Sequence, residues 1–184
     1  MWQYYKAALI SEDKIKVINC SWSKMMEHAW IWNKTMDVVH KELLDNPQRV
    51  IWVWDYSCCA PFVWTYEDVE KIDVHNAAVT WLEVWRFEDI YIINHDKECY
   101  INITQQEFNK DLQDSWKAVV HPLPLLCRAE TEDAWWDYHS EINNSIIWAW
   151  CWDRIEVKVI PANSKPNFPD YRDETNDLFF KEEL

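Results

Sequence analysis

Glycine is absent from all 184 residues of the chain, where average usage predicts roughly 13. A fold with turns and no glycine must put side-chain-bearing residues wherever φ is positive, at about 1–2 kcal/mol each. Other absences narrow the class. No apolar run reaches the ~18–20 residues that span a bilayer. Met1 to Ile10 has neither the basic start nor the long apolar stretch of a secretion leader, so a cytoplasmic protein is expected. Basic residues are few: 18 Lys and Arg face 32 Asp and Glu, a formal charge of -14. That balance excludes direct nucleic-acid binding and an anionic membrane surface as partner. There is no P-loop, no nucleophile elbow and no dinucleotide fingerprint.

What is present suits one globular domain. Hydrophobic residues make up 49% and aromatics 16%, too much for a disordered chain, and the length allows a sizeable core. The cysteines Cys20, Cys58, Cys59, Cys99, Cys127 and Cys151 form no C-x-x-C pair. Free, mostly buried thiols are expected of them. The sequons at Asn19, Asn33, Asn102 and Asn143 carry no meaning without secretion.

Tryptophan, normally rare, appears 15 times. Four precede Asp or Asn: Trp32, Trp54, Trp136 and Trp152. Gly-Asp and Gly-Asn are turn dipeptides, whereas Trp-Asp has no such reason to recur. Trp135 and Trp136 interrupt an acidic, loop-like stretch with no apolar face to join. These positions lead to the expectation that nine Trp stand where the functional protein has glycine: Trp2, Trp22, Trp32, Trp54, Trp85, Trp135, Trp136, Trp148 and Trp152. A UGA codon, read as glycine in some bacterial lineages and their phages and as tryptophan in other codes, accounts for such an exchange.

The pattern of apolar residues predicts a hairpin from Gln3–Ile10 and Ile15–Asn19, and a second from Ile90–Asn94 and Cys99–Ile103. Thr35–Leu44 is expected to be helical, since Met36, Val39, Leu43 and Leu44 share a face; Asn33 or Thr35 caps it and Asn46-Pro47 stops it. His40 beside that face is expected to be a packed or half-exposed helix residue and not a ligand. Arg49–Trp54 reads as a central strand, and Thr65–Ile72 as a short helix. Thr104-Gln105-Gln106-Glu107 reads as a capping box opening a helix to about Asp114. Strands are expected at Lys117–Val120, Ile146–Trp150 and Arg154–Ile160. The two prolines in His121-Pro122-Leu123-Pro124 are expected to end regular structure. The expected fold is α+β: a single domain over residues 1–160, mostly antiparallel sheet built from hairpins with about three short helices, then an extended, Pro-rich acidic tail over 161–184.

With glycine at Trp2, the opening Met1-Trp2-Gln3-Tyr4-Tyr5-Lys6 reads M-G-Q-Y-Y-K. It resembles the start of a group of bacterial and phage proteins without an established activity. The segments Lys24 to Asn33, Val120 to Leu126, Trp135 to His139 and Trp148 to Arg154 are similar to K-L-M-E-H-S-x-x-G-N, H-P-L-P-L-L, G-G-D-Y and G-x-W-x-x-D-R stretches of that group. The resemblance implies an intracellular or phage-encoded setting and supplies no chemistry.

The polar residues singled out as a candidate site are Asp55, His121, Asp137, His139, Asp153 and Arg154, placed at strand ends or in loops. Asp137 and His139 would face one side of an extended strand and can hold a divalent metal, with Asp55 or Asp153 as third ligand. Metal-activated water would then make a hydrolase. Arg154 can bind an anion or pair with a carboxylate. His121 is expected to brace a loop. The leading expectation is instead a non-enzymatic, acidic binding protein without cofactor, which engages a basic host protein through charge complementarity. The hydrolase is the alternative.

Overall fold

The computed structural model describes residues 4–12, 14–20, 33–55, 69–74, 88–104, 121–129, 148–162, 164 and 166–175. Strands β1 (Tyr5–Ile10) and β2 (Ile15–Asn19) form the expected N-terminal hairpin, closed by the Ser11 N–H on the Lys14 carbonyl at 3.0 Å. Helix α1 (Lys34–Leu43) starts where Asn33 Oδ1 accepts from the Thr35 N–H at 2.7 Å, so Asn33 is the cap. Met36, Val39 and Leu43 are its fully buried stripe. The remaining strands are β3 (Gln48–Trp54), β4 (Glu70–Asp73), β5 (Glu88–Asn94), β6 (Cys99–Asn102), β7 (Arg154–Pro161) and β8 (Arg172–Asp173).

All eight join one sheet in the order β4-β2-β1-β3-β7-β5-β6-β8. Pairing is antiparallel except where β4 joins β2 and β8 joins β6. β3 and β5 are covered on both faces, whereas β7 between them alternates, with Ile155 and Val157 in the core and Glu156 and Lys158 on the other face. In β3, Val50 and Trp52 enter the larger core with α1, while Ile51 and Val53 enter a second cluster with Ala8, Val17 and Ala129. In β5, Ile90 and Ile92 face the first core and Tyr91 and Ile93 a third cluster. Double coverage explains why these strands read as continuous apolar runs and not as alternation. Each fully buried Val or Ile contributes about 1.5–3 kcal/mol relative to exposure.

The mostly antiparallel sheet matches expectation, but the described residues are mainly β. They hold one ten-residue helix and one single turn, α2 (Leu123–Leu126), in place of about three helices. Three local expectations are corrected. Within Thr65–Ile72, residues from Glu70 onward form β4, because pairing with the edge of β2 overrides a helical pattern in a polar tetrapeptide. The proline segment is not irregular: Pro122 precedes α2 and Pro124 lies in its first turn, where no N–H is needed. Trp148–Trp150 is a turn, since Trp148 has φ 60° and cannot continue a strand. The expected helix after Thr104 and the strand Lys117–Val120 lie outside the described residues. Past Pro161 the chain returns to the sheet, with Phe168 and Tyr171 packed on Tyr91, Ile93 and Tyr100 before β8 joins β6. Cys20, Cys99, Cys127 and Cys151 are free thiols, the first three buried. Among the described residues no helix is long and apolar enough to cross a membrane.

Four described residues have left-handed backbone: Asp45, Glu98, Trp148 and Trp152, the last two at φ 60° and 69°. Both tryptophans sit in consecutive tight turns, closed by the Cys151 N–H on the Trp148 carbonyl and the Asp153 N–H on the Trp150 carbonyl, each at 3.0 Å. Both are also the exposed large hydrophobics of the described chain, at 42% and 37%, while Trp150 between them is 1% exposed. Trp54 differs: it ends β3 in extended backbone and is buried, so nothing at that position asks for glycine. Trp2, Trp22, Trp32, Trp85, Trp135 and Trp136 lie outside the described residues.

Candidate functional site

The register of β3 against β7 sets Arg49 directly opposite Arg154. Opposed residues of an antiparallel pair project to the same face, so two like charges meet, which by itself is destabilising. The β5–β6 turn supplies the remedy. Asn94 Oδ1 accepts from the Asp96 and Lys97 N–H groups, both at 3.0 Å, an Asx turn that fixes Asp96 over the strand ends. Asp96 Oδ2 then accepts from Arg49 Nη1 at 2.9 Å and from the Arg154 backbone N–H at 3.1 Å, and Oδ1 accepts from Arg154 Nε at 2.7 Å. Arg49 Nη1 also donates to the Trp152 carbonyl at 2.6 Å. Partial burial by itself would raise the Asp96 pKa; the hydrogen bonds from Arg154 and the charges of Arg154 and Arg49 outweigh it and hold the carboxyl below its usual value. Both guanidiniums stay about half exposed and line an open cleft of about 620 Å³ with Ile10, Glu12, Pro47 and Asp96.

A second polar group adjoins the first through the backbone, the His95 N–H donating to the Arg154 carbonyl at 2.9 Å. His95 Nε2 meets the buried Glu156 carboxylate at 2.9 Å, and Nδ1 meets Tyr171 Oη at 3.1 Å. An ionised Glu156 only accepts, so Nε2 carries the hydrogen. The ring stands edge-on to Phe168 and Tyr171. Lys158 neutralises Glu156 from the other side at 3.0 Å.

The candidate residues named from sequence are divided among separate places. Arg154 does pair with a carboxylate. Asp153 is committed to Asn94 Nδ2 at 2.8 Å and to Lys97 Nζ at 3.1 Å. Asp55 is tied back to Tyr4 by two backbone-directed hydrogen bonds at the far end of β3. The Asp153 carbonyl accepts from the Val50 N–H, five residues before Asp55, so the two acids stand roughly 16 Å apart along the strand. Asp137 and His139 lie outside the described residues. Among the described residues no three His, Cys, Asp or Glu side chains cluster as metal ligands.

His121 braces the α2 turn as expected. Its Nδ1 accepts from the Leu123 N–H at 3.1 Å, and its Nε2 lies 2.7 Å from His40 Nε2. Nδ1 of His121 therefore bears no proton, its Nε2–H donates to His40, and the proton of His40 sits on Nδ1. Both rings are buried, and His40 is packed. Burial pushes the His40 pKa down to about 4; burial, then the neighbouring His40, pushes His121 well down. The pair is neutral and ties α1 to α2.

Sequence reasoning missed Arg49, Asp96, His95 and Glu156. The one usable signal was Asn94 at a strand end before a polar run, which marks an Asx turn. No family model, curated protein or solved structure matches the chain.

Proposed function

We propose that the protein acts by binding and not by catalysis: an acidic protein of the bacterial or phage-infected cytoplasm that engages a basic host protein. The observation that carries this reading is the use of its cations. Lys14 pairs with Glu70, Lys16 with Glu42, Lys97 with Asp153, Lys158 with Glu156 and Arg172 with Glu174, while Arg49 and Arg154 share Asp96. Each of these basic groups has an acidic partner within the molecule, and acids outnumber bases by 14 over the whole chain, so the surroundings meet a negative field. Such a field speeds encounter with a positively charged partner and makes it sensitive to salt. The test is capture from host lysate, followed by association kinetics with the captured protein. A basic partner is expected, bound at low salt, with an on-rate that falls steeply as salt rises. Capture of no basic protein, or an on-rate indifferent to salt, overturns the reading.

A further inference from the structure

We propose that the cleft between Arg49 and Arg154 binds the phosphate group of a small molecule. Asp96 uses only part of the donor capacity there. It engages Nη1 of Arg49 together with Nε and the backbone N–H of Arg154. Nη2 of Arg49 and both terminal nitrogens of Arg154 make no hydrogen bond among the described residues. These are the edges of planar forks that match phosphate oxygens in pairs. The forks come from opposed positions on neighbouring strands, so their spacing is fixed by the sheet and not by flexible loops.

Asp96 offsets one of the two guanidinium charges, and Glu12 on the rim brings the lining as a whole to neutral, so the pull on an anion comes from the donors between the strands and not from net charge. The cross-strand repulsion that Asp96 offsets in part, a bound anion would reduce further. Asp96 is held ionised by its partners, so it stays a fixed buttress and does not leave the site.

The lining sets the ligand's size and charge. About 620 Å³ is the volume of a small-molecule pocket, larger than a bare phosphate needs. Ile10 and Pro47 offer apolar wall for the rest of the ligand. Glu12, on the β1–β2 turn, also lines the cleft and disfavours a second anionic group there. The overall negative field likewise disfavours a polyanion such as a nucleic acid. A singly phosphorylated small molecule with a neutral or cationic body fits these limits.

Inorganic phosphate is the probe, titrated at constant ionic strength against chloride and followed by the Nε–Hε resonances of Arg49 and Arg154. Saturable shifts of both signals are expected. Affinity should fall at least about tenfold in Arg154→Gln and in Arg49→Gln. Glu12→Gln, on an exposed turn, should tighten binding and remains informative if an arginine variant fails to fold. Shifts that are linear and reproduced by chloride, or an affinity unchanged in Glu12→Gln and Arg154→Gln, overturn the proposal.

Discussion

His40 Nε2 lies 2.7 Å from His121 Nε2 in a fully buried, uncharged pair. Both pKa values are lowered in the folded state, to about 4 for His40, against about 6.5 in an unfolded chain. Below pH 6.5 the unfolded chain therefore binds more protons, and stability falls as pH drops towards 4. It is fully present above 6.5. The slope is at most about 1.4 kcal/mol per pH unit for each histidine. Urea unfolding at pH 7.5, 6 and 5 should show this loss. A double His40→Phe, His121→Leu variant should lose part of it, because an apolar pair takes up no protons.

Asp96 is the only counter-charge between Arg49 and Arg154 among the described residues. Asp96→Asn should lower the melting temperature at low salt. The deficit should narrow in 1 M salt, where the Debye length is about 3 Å and the opposed guanidiniums are screened. Thermal unfolding of both proteins across a salt series measures it.

The segment beyond Pro161 supports the sheet edge. Thr175 Oγ1 accepts from the Asn102 N–H at 2.9 Å, and Phe168 and Tyr171 cover Tyr91, Ile93 and Tyr100. Ending the chain after Pro161 should lower the melting temperature and promote association through the bared β6 edge. Calorimetry and light scattering would show both effects.

The left-handed turn before β7 makes a signed prediction. Replacing Trp148 or Trp152 by glycine should stabilise the protein by about 1 kcal/mol each, because the left-handed penalty is relieved. Trp150→Ala, only two residues away from each, should cost about 3–5 kcal/mol from the buried cavity. Chemical denaturation of the three variants checks the contrast.

The hairpins, the central strand and α1 were legible in the sequence because each announces itself locally, through β-branched runs, the helical spacing of Met36, Val39 and Leu43, and the Asn33 cap. β4 was not, because Glu70–Asp73 is a strand only through its partner β2. The α2 turn was hidden by prolines that tolerate a first helical turn. The arginine cleft was still less visible. Arg49, Asp96 and Arg154 are separated by 47 and 58 residues in the chain, and only the strand register brings them together. Arg154 was legible as a candidate, but its partner was not.

The resemblance and the bacterial or phage setting depend on glycine standing where this sequence carries certain tryptophans. Residues 129–154 contain no Lys or Arg before Arg154 and follow Arg128, so trypsin releases them as one peptide. Mass-spectrometric sequencing of that peptide, from protein made by its own translation machinery, is the direct test. Glycine at Trp135, Trp136, Trp148 and Trp152, with tryptophan kept at the buried Trp150, is the expected result. Tryptophan at Trp148 and Trp152 would contradict it.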